Sequence, residues 1–304
     1  MPVKCGRGSG GGFLLAVGVL AVPANGAVTA RDDTGHLVTL ARAARRVVSL
    51  APSATELIFA IGAPGTLVGV SSLDDYPPAA KKLPKVGSFS RPDLERIVAA
   101  KPDLVVAAYG NPRDLSDRLR RLHVPVYVSN PTTVAAVLRD MNDLGRLTGR
   151  ETTARRAVSA LEERLRRVAA RVRGQPPVKT LVVIWDEPLT VAGSQSFIQD
   201  ILRLAGGVNA AAGLAEAYPK LDPERLVLMD PEVVLFPLAG DTARGHLQRL
   251  RRRPGFRQTR AARAGRFYTL NPDWLERPGP RVVAGVEAVA QLLHPPGLTH
   301  QTSH

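Results

Sequence analysis

Cysteine is nearly missing from this chain: Cys5 is the single one among 304 residues, and it lies ahead of the most apolar run rather than just behind it. One thiol cannot build a disulfide framework, and its position makes thiolate metal sites and cysteine nucleophiles unexpected in the mature protein. Histidine offers little more. His294, His300 and His304 crowd the C-terminal end, and His36, His123 and His246 stand at no recognised ligand spacing. Phosphate loops, nucleophile elbows and paired-Cys motifs are lacking, and Val191-Ala192-Gly193-Ser194 is too generic to serve as a nucleotide loop. No catalytic residue, metal ligand or resident cofactor is therefore expected. Aromatic residues make up only 5% of the chain, so where they fall carries information.

Long hydrophobic runs are also wanting. The most apolar segment, Phe13 to Val22, is far short of the roughly 20 residues that a membrane-crossing helix needs. Lys4 and Arg7 precede it and the small residues Ala24, Gly26 and Ala27 follow, which is the pattern of a cleavable export signal over residues 1–27. Cleavage there removes Cys5 and leaves a soluble protein outside the cytoplasm. Acidic residues are outnumbered, 27 against 41 basic ones, for a formal charge of +14. Much of the excess lies in Arg150 to Arg173 and Arg249 to Arg266. In the first run Ala154, Val158, Leu161, Leu165, Val168 and Val172 recur at three- and four-residue steps, so its arginines read as the solvated face of an amphipathic helix. That reading is preferred over a nucleic-acid or membrane surface.

What the chain does have is an internal echo. Glu95-Arg96-Ile97-Val98 returns as Glu224-Arg225-Leu226-Val227, and Pro102-Asp103-Leu104-Val105 as Pro231-Glu232-Val233-Val234, at one constant offset (224 − 95 = 231 − 102 = 129). Each copy opens on a helix-start signal, Asp93 or Asp222-Pro223, and leads into a buried strand. Two readings of Glu95 and Glu224 stand here. Either they simply suit the positive end of a helix, or two similar lobes each present an acid.

Around the echo the pattern alternates. Val28 to Ala44 predicts a hairpin about Asp32-Asp33-Thr34-Gly35, and Arg46 to Ala51 a buried strand. Ser53-Ala54-Thr55-Glu56 reads as a capping box for a helix that stops at Gly62. Strands at Leu67 to Val70, Leu104 to Ala108 and Val124 to Val128 are separated by helices at Leu94 to Ala100 and Asp114 to Leu122, with Thr133 to Leu147 closing the lobe. Glu151 to Arg173 contains neither Gly nor Pro and predicts one long helix. Beyond it come strands at Thr180 to Ile184, Val233 to Phe236 and Phe267 to Leu270, with helices at Ser196 to Leu204 and Arg281 to Leu293. The expected class is α/β: two similar lobes with mainly parallel sheets joined by one long rigid helix. The divisions are an N-terminal lobe at 28–148, a connecting helix at 149–175, a C-terminal lobe at 176–295 and a tail at 296–304 without packing signals. A stiff link permits only modest lobe motion.

Asp273-Trp274-Leu275-Glu276-Arg277 is the most unusual local run, placed at the end of a predicted strand where α/β proteins hold ligands. It is either a ligand-facing loop or a tucked tryptophan beside a surface ion pair. Tyr76, Phe89, Tyr109, Trp185 and Tyr218 fall in comparable loops of both halves. Together they suggest an interlobe cleft with apolar walls, suited to a large flat organic ligand.

These residues carry a resemblance. Arg46-Val47-Val48-Ser49-Leu50-Ala51-Pro52-Ser53-Ala54-Thr55-Glu56, Gly69-Val70-Ser71-Ser72, Asp75-Tyr76-Pro77-Pro78, Lys101-Pro102-Asp103-Leu104-Val105 and the Asp273 to Arg277 run are similar to the periplasmic substrate-binding proteins of bacterial ABC importers for cobalamin, haem and siderophores. The Asp-Trp-Leu-Glu-Arg run resembles the corrinoid branch. The resemblance extends from about Arg46 to about Leu293. It implies a non-enzymatic periplasmic binder, expected to be monomeric, with cobalamin as transported ligand rather than cofactor. It implies ligand contacts at Phe89, Tyr218, Asp273, Trp274, Glu276 and Arg277, to which the loop reading adds Tyr109 and Trp185. It also implies docking of Glu95 and Glu224 onto arginines of a dimeric permease, and no nucleic-acid partner. The sequence departs at Leu275, which replaces an aromatic, at Leu73, which replaces a pocket tyrosine, and at Ala108, which replaces a tryptophan. Haem or a ferric siderophore is the alternative cargo, and an exported hydrolase using Ser53 or Ser194 the more distant alternative.

Overall fold

The computed structural model describes residues 26–240 and 243–295. Nearly all of the expected signal segment and the whole of the expected tail lie outside the described residues. The chain begins with an antiparallel hairpin, β1 (Val28–Arg31) and β2 (Leu37–Leu40). The Asp32 carboxylate fixes its turn by accepting the N–H groups of Thr34 and His36, each at 2.9 Å.

Four strands follow in the first lobe: β3 (Val47–Ser49), β4 (Leu67–Val70), β5 (Leu104–Ala108) and β6 (Val126–Ser129). They are ordered β4-β3-β5-β6, all parallel. The second lobe holds β7 (Val178–Asp186), β8 (Leu189–Val191), β9 (Gly207–Asn209), β10 (Val233–Pro237) and β11 (Phe267–Leu270). Here β7 lies between β9 and β10, with β11 outside β10, all parallel, while β8 turns back antiparallel on β7. The parallel strands of the two sheets follow one order, β4-β3-β5-β6 and β9-β7-β10-β11. In each, the first strand takes its successor on one side and the next pair on the other, so the chain reverses direction between β3 and β5 and again between β7 and β10. Ligands of open α/β sheets bind at the carboxyl ends of strands flanking such a reversal.

The echo marks equivalent places. Helices Leu94–Ala99 and Pro223–Met229 are capped by Asp93 and Asp222, whose carboxylates accept the N–H of Arg96 at 3.0 Å and of Arg225 at 2.7 Å. Ile97 and Leu226 are fully buried beneath them, and Glu95 and Glu224 are exposed in the first turn.

The connecting helix Glu151–Val172 is braced at both ends. A Cβ on Gly145 would come within 2.3 Å of the Ala154 Cβ, so only glycine permits the first turn to approach helix Val134–Leu147 this closely. Farther along, Arg164 forks onto Glu287 of the last helix, Val282–Leu293, at 2.8 and 2.6 Å. Ala154, Val158 and Val168 belong to one buried cluster that contains Leu144 of the first lobe and Ile201 and Val286 of the second. The lobes therefore share a core. A further tie is the Asp200 carboxylate, which accepts the N–H of Val134 at 2.9 Å across the lobes.

Two expectations need correction or completion. The capping box at Ser53 does not form: the helix is Pro52–Ala60, with Pro52 in its first turn and Ala51 as an N-cap without side-chain bond. Proline's fixed φ and missing N–H suit that first turn, which places Ser53 and Glu56 inside the helix rather than at its cap. The second basic run is largely tied into the lobe: Arg251 and Arg266 donate to the carbonyls of Ala262 and Leu293, and Arg260 to Asp230 and Glu232.

Candidate functional site

The loop after β11 is shaped by its own sequence. Asn271 accepts the N–H of Asp273 at 3.0 Å and Pro272 opens a single 3-10 turn, Pro272–Trp274. This turn faces the first lobe, and the meeting point is ionic. Arg281 holds Glu56 through two bonds, Nε to Oε2 at 2.8 Å and Nη2 to Oε1 at 2.6 Å, and reaches Asp273 Oδ2 at 3.1 Å. Arg277 bonds Asp75 Oδ1 at 2.8 Å and Asp273 Oδ1 at 2.9 Å. The Arg281 guanidinium also lies over the Tyr76 ring, 4.1 Å from its centroid. Glu56, Asp75 and Tyr76 come from one lobe and Asp273, Arg277 and Arg281 from the other.

Glu56 is only 3% exposed. A carboxylate so enclosed is tolerable because a planar guanidinium meets both of its oxygens. The segment that delivers Arg281 also closes over helix Pro52–Ala60: a Cβ on Gly279 would touch Glu56 Oε2 at 3.5 Å and Ser53 at 3.7 Å. Ser53 is accordingly buried, and the Ser194 hydroxyl donates to the Leu214 carbonyl at 2.9 Å. Beside this network the Arg277 hydrogen bond holds the Asp75 carboxyl below its usual range. Its neighbour Asp74 goes the other way, pushed up to about 6 by burial against the opposing effects of Thr55 and Lys85.

The aromatic residues expected in the cleft divide into two groups. Tyr109 after β5 is 73% exposed, Trp185 at the end of β7 is 62% and Tyr218 is 50%, and the Tyr76 ring also remains accessible. Single exposed aliphatic side chains such as Leu228 and Leu122 are ordinary, whereas several large exposed rings in a chain so poor in aromatics are informative. The Tyr218 hydroxyl is pushed up by burial, then by the charges of Glu276 and Tyr109. Burial, then Asp273, likewise raises Glu276. Tyr218 and Glu276 keep accessible surface and yet lose hydration, as groups do on the walls of a concavity.

Phe89 and Trp274 are half-buried rather than displayed. Phe89 packs beneath Gly110, where a Cβ would fall 2.6 Å from its ring, and Gly110 itself adopts φ +97°. Trp185 is held by its indole N–H, which donates to the Glu187 carbonyl at 2.8 Å. Its neighbour Asp186 is anchored by His246 at 2.8 Å and by Arg253, which donates to the Asp186 carbonyl at 2.6 Å. Leu275 is buried in the shared core.

The sequence reading missed Glu56, Asp75 and Arg281 as partners of the Asp273 to Arg277 run, and missed Asn111. Pro52 was the available signal for Glu56, since a proline-led helix frees that carboxylate from capping. Asn111 joins three loops at the strand ends. It accepts the N–H of Ala108 at 2.8 Å and donates to the carbonyls of Phe89 at 2.8 Å and Leu50 at 3.1 Å.

A pair of lobes with matching parallel sheets, a braced helical spacer and exposed rings at facing strand ends defines a binding protein of the cleft type. The chain belongs to the periplasmic binding protein family, whose model matches residues 47–274. It is 30% identical over 268 residues to a vitamin B12-binding protein of Yersinia pseudotuberculosis, covering 84% of this chain and 89% of that one. Among solved structures it resembles the periplasmic vitamin B12 binding protein BtuF of Vibrio cholerae, with a TM-score of 0.74, 29% identity and coverage of 82% and 96% of the two chains. It also resembles a periplasmic heme-binding protein of Pseudomonas aeruginosa, with a TM-score of 0.72, 31% identity and coverage of 83% and 94%.

Proposed function

We propose that this chain is an exported, non-enzymatic substrate-binding protein that takes up cobalamin or a related corrinoid between its lobes in the periplasm and delivers it to a dimeric ABC import permease. The observation that carries the reading is the exposure of large rings in loops of both lobes, Tyr109 in the first and Trp185 and Tyr218 in the second. Broad apolar contact with a few polar anchors suits a flat macrocycle edged with amides. The similarity to vitamin B12-binding relatives supports the corrinoid in particular.

In this reading Tyr109, Trp185 and Tyr218 make the apolar contacts, Glu276 is the polar anchor, and Phe89 and Trp274 complete the walls. Asp273 and Arg277 act chiefly by positioning the loop, because their charges are already engaged with Arg281 and Asp75. Glu95 and Glu224 meet arginines related by the permease's two-fold axis. No nucleic acid is involved, and the binder works as a monomer. Haem is the second reading, favoured by the resemblance to a heme-binding structure at 31% identity.

Absorbance titration of the purified protein with cyanocobalamin and with haemin, followed by desalting, tests the proposal. Retention of the corrinoid chromophore is the expected result. Retention of haem alone would replace the corrinoid reading with the haem reading.

A further inference from the structure

The first lobe contains a cavity of about 590 Å³ that shares Tyr109 with the proposed cleft site. It sits at the carboxyl ends of β5 and β6, and its wall includes Tyr109, Asn111, Arg113, Ser116, Arg120 and Asn130, with Asp117 as its carboxylate. The charges in that wall are unequal. Arg120 is engaged, with Nη1 on Asp117 at 3.3 Å and Nη2 on the buried Asp32 at 3.3 Å. Arg120 thus serves two carboxylates with one charge. Arg113 is exposed and forms no ion pair among the described residues, so its guanidinium is free beside the hydroxyl and amide groups of the wall. The volume is in the range of small-molecule sites, roughly 300–1,000 Å³, larger than a lone inorganic anion requires. Tyr109 lines this wall directly after the carboxyl end of β5, the kind of strand end at which open α/β sheets hold ligands, so the cavity lies on the ligand side of the lobe.

We infer that this cavity is a side pocket for an anionic arm of the cleft ligand, with the Arg113 guanidinium receiving a phosphodiester and Tyr109 offering its ring to the attached base. The assignment rests on the corrinoid reading, because cobalamin carries such an arm and its precursor form, cobinamide, ends before the phosphodiester and base. Guanidinium and phosphate oxygens pair through charge-assisted hydrogen bonds, and amide donors such as Asn130 can serve the remaining oxygens.

The test compares cyanocobalamin with dicyanocobinamide by isothermal titration calorimetry on the mature protein, its Arg113→Ala variant and its Arg113→Lys variant. A lost charged hydrogen bond corresponds to about tenfold weaker binding or more. Arg113→Ala should therefore weaken cobalamin about tenfold and leave cobinamide unchanged. Arg113→Lys should recover part of the loss, and added salt should weaken cobalamin more than cobinamide. Equal effects on both ligands, or none on either, overturn the side pocket while leaving corrinoid binding intact. Failure of both corrinoids to bind the unaltered protein overturns the side pocket and the corrinoid reading together.

Discussion

The two lobes agree where they are supported and differ where they face each other. Their parallel strands share one order, and their repeated helices are capped by the same residue type at the same offset, with the same burial at Ile97 and Leu226. Their facing loops are not equivalent at all. The first lobe contributes acceptors and a ring, Glu56, Asp75 and Tyr76, and the second contributes the guanidinium groups of Arg277 and Arg281. Duplicated architecture thus provides two matched platforms, and the attachment between them depends on residues that the duplication does not repeat.

The sharpest way to break the comparison is at the unrepeated contact. Arg281→Ala leaves Glu56 buried with Arg277 3.6 Å away as its nearest cation, and removal of one partner of a buried pair costs about 3–5 kcal/mol. Urea unfolding should show that loss, and Glu56→Gln should lose less because no unpaired carboxylate remains. An equal response from an exposed pair such as Arg155 with Glu151 would remove the special status of the interlobe contact.

The neighbours Asp74 and Asp75 sharpen it through pH. The folded state raises Asp74 from 3.8 to about 6, so the folded chain holds that proton more firmly than the unfolded chain. The penalty is full above about 6 and is relieved as pH falls toward 4, a gain on the order of 2–3 kcal/mol. Asp75 is lowered by Arg277, so its stabilising effect persists through that window and disappears only as pH falls through its folded value. Unfolding free energy should therefore rise from pH 7 to pH 5, and Asp74→Asn should flatten the slope. An unchanged slope in that variant would assign the effect elsewhere, with buried Asp140, also raised by burial, the next group to replace.

At the cleft walls, Tyr109→Ala and Tyr218→Ala should each weaken corrinoid binding by about 2 kcal/mol, as loss of an aromatic anchor does, measured by intrinsic fluorescence. Trp274→Ala should weaken it as well, with added loss of stability because that ring is half-buried. Unchanged affinity in all three would empty the proposed site. Glu95→Ala combined with Glu224→Ala should leave affinity intact and abolish uptake in a complemented deletion strain. Persisting uptake would return both acids to a purely local role at their helix ends. The smallest effect tests the likeness itself: Asp93→Ala and Asp222→Ala should each cost about 1 kcal/mol, and nearly the same amount, in thermal unfolding.

Much of this was legible beforehand for a definite reason. Strands β4, β5 and β11 and the long helix follow from local periodicity and from Gly and Pro punctuation, and the 129-residue echo correctly marked equivalent units. The short strands β8 and β9 escaped notice because three residues carry too little pattern. Glu56 was misread because a serine three positions before a glutamate imitates a capping box, and the partner that claims its carboxylate lies 225 residues away.

The sequence by itself determined the two α/β platforms, the uninterrupted helix between them and the scarcity of aromatic residues that made each one notable. These depend on neighbours within a few turns of chain. Only the tertiary structure decided that Arg277 and Arg281 clasp the opposite lobe, that Tyr109, Trp185 and Tyr218 stay exposed, and that a cavity opens beside the end of β5. Ion pairing, ring exposure and concavity are properties of surfaces brought together from distant segments, and no local pattern encodes which surfaces will meet.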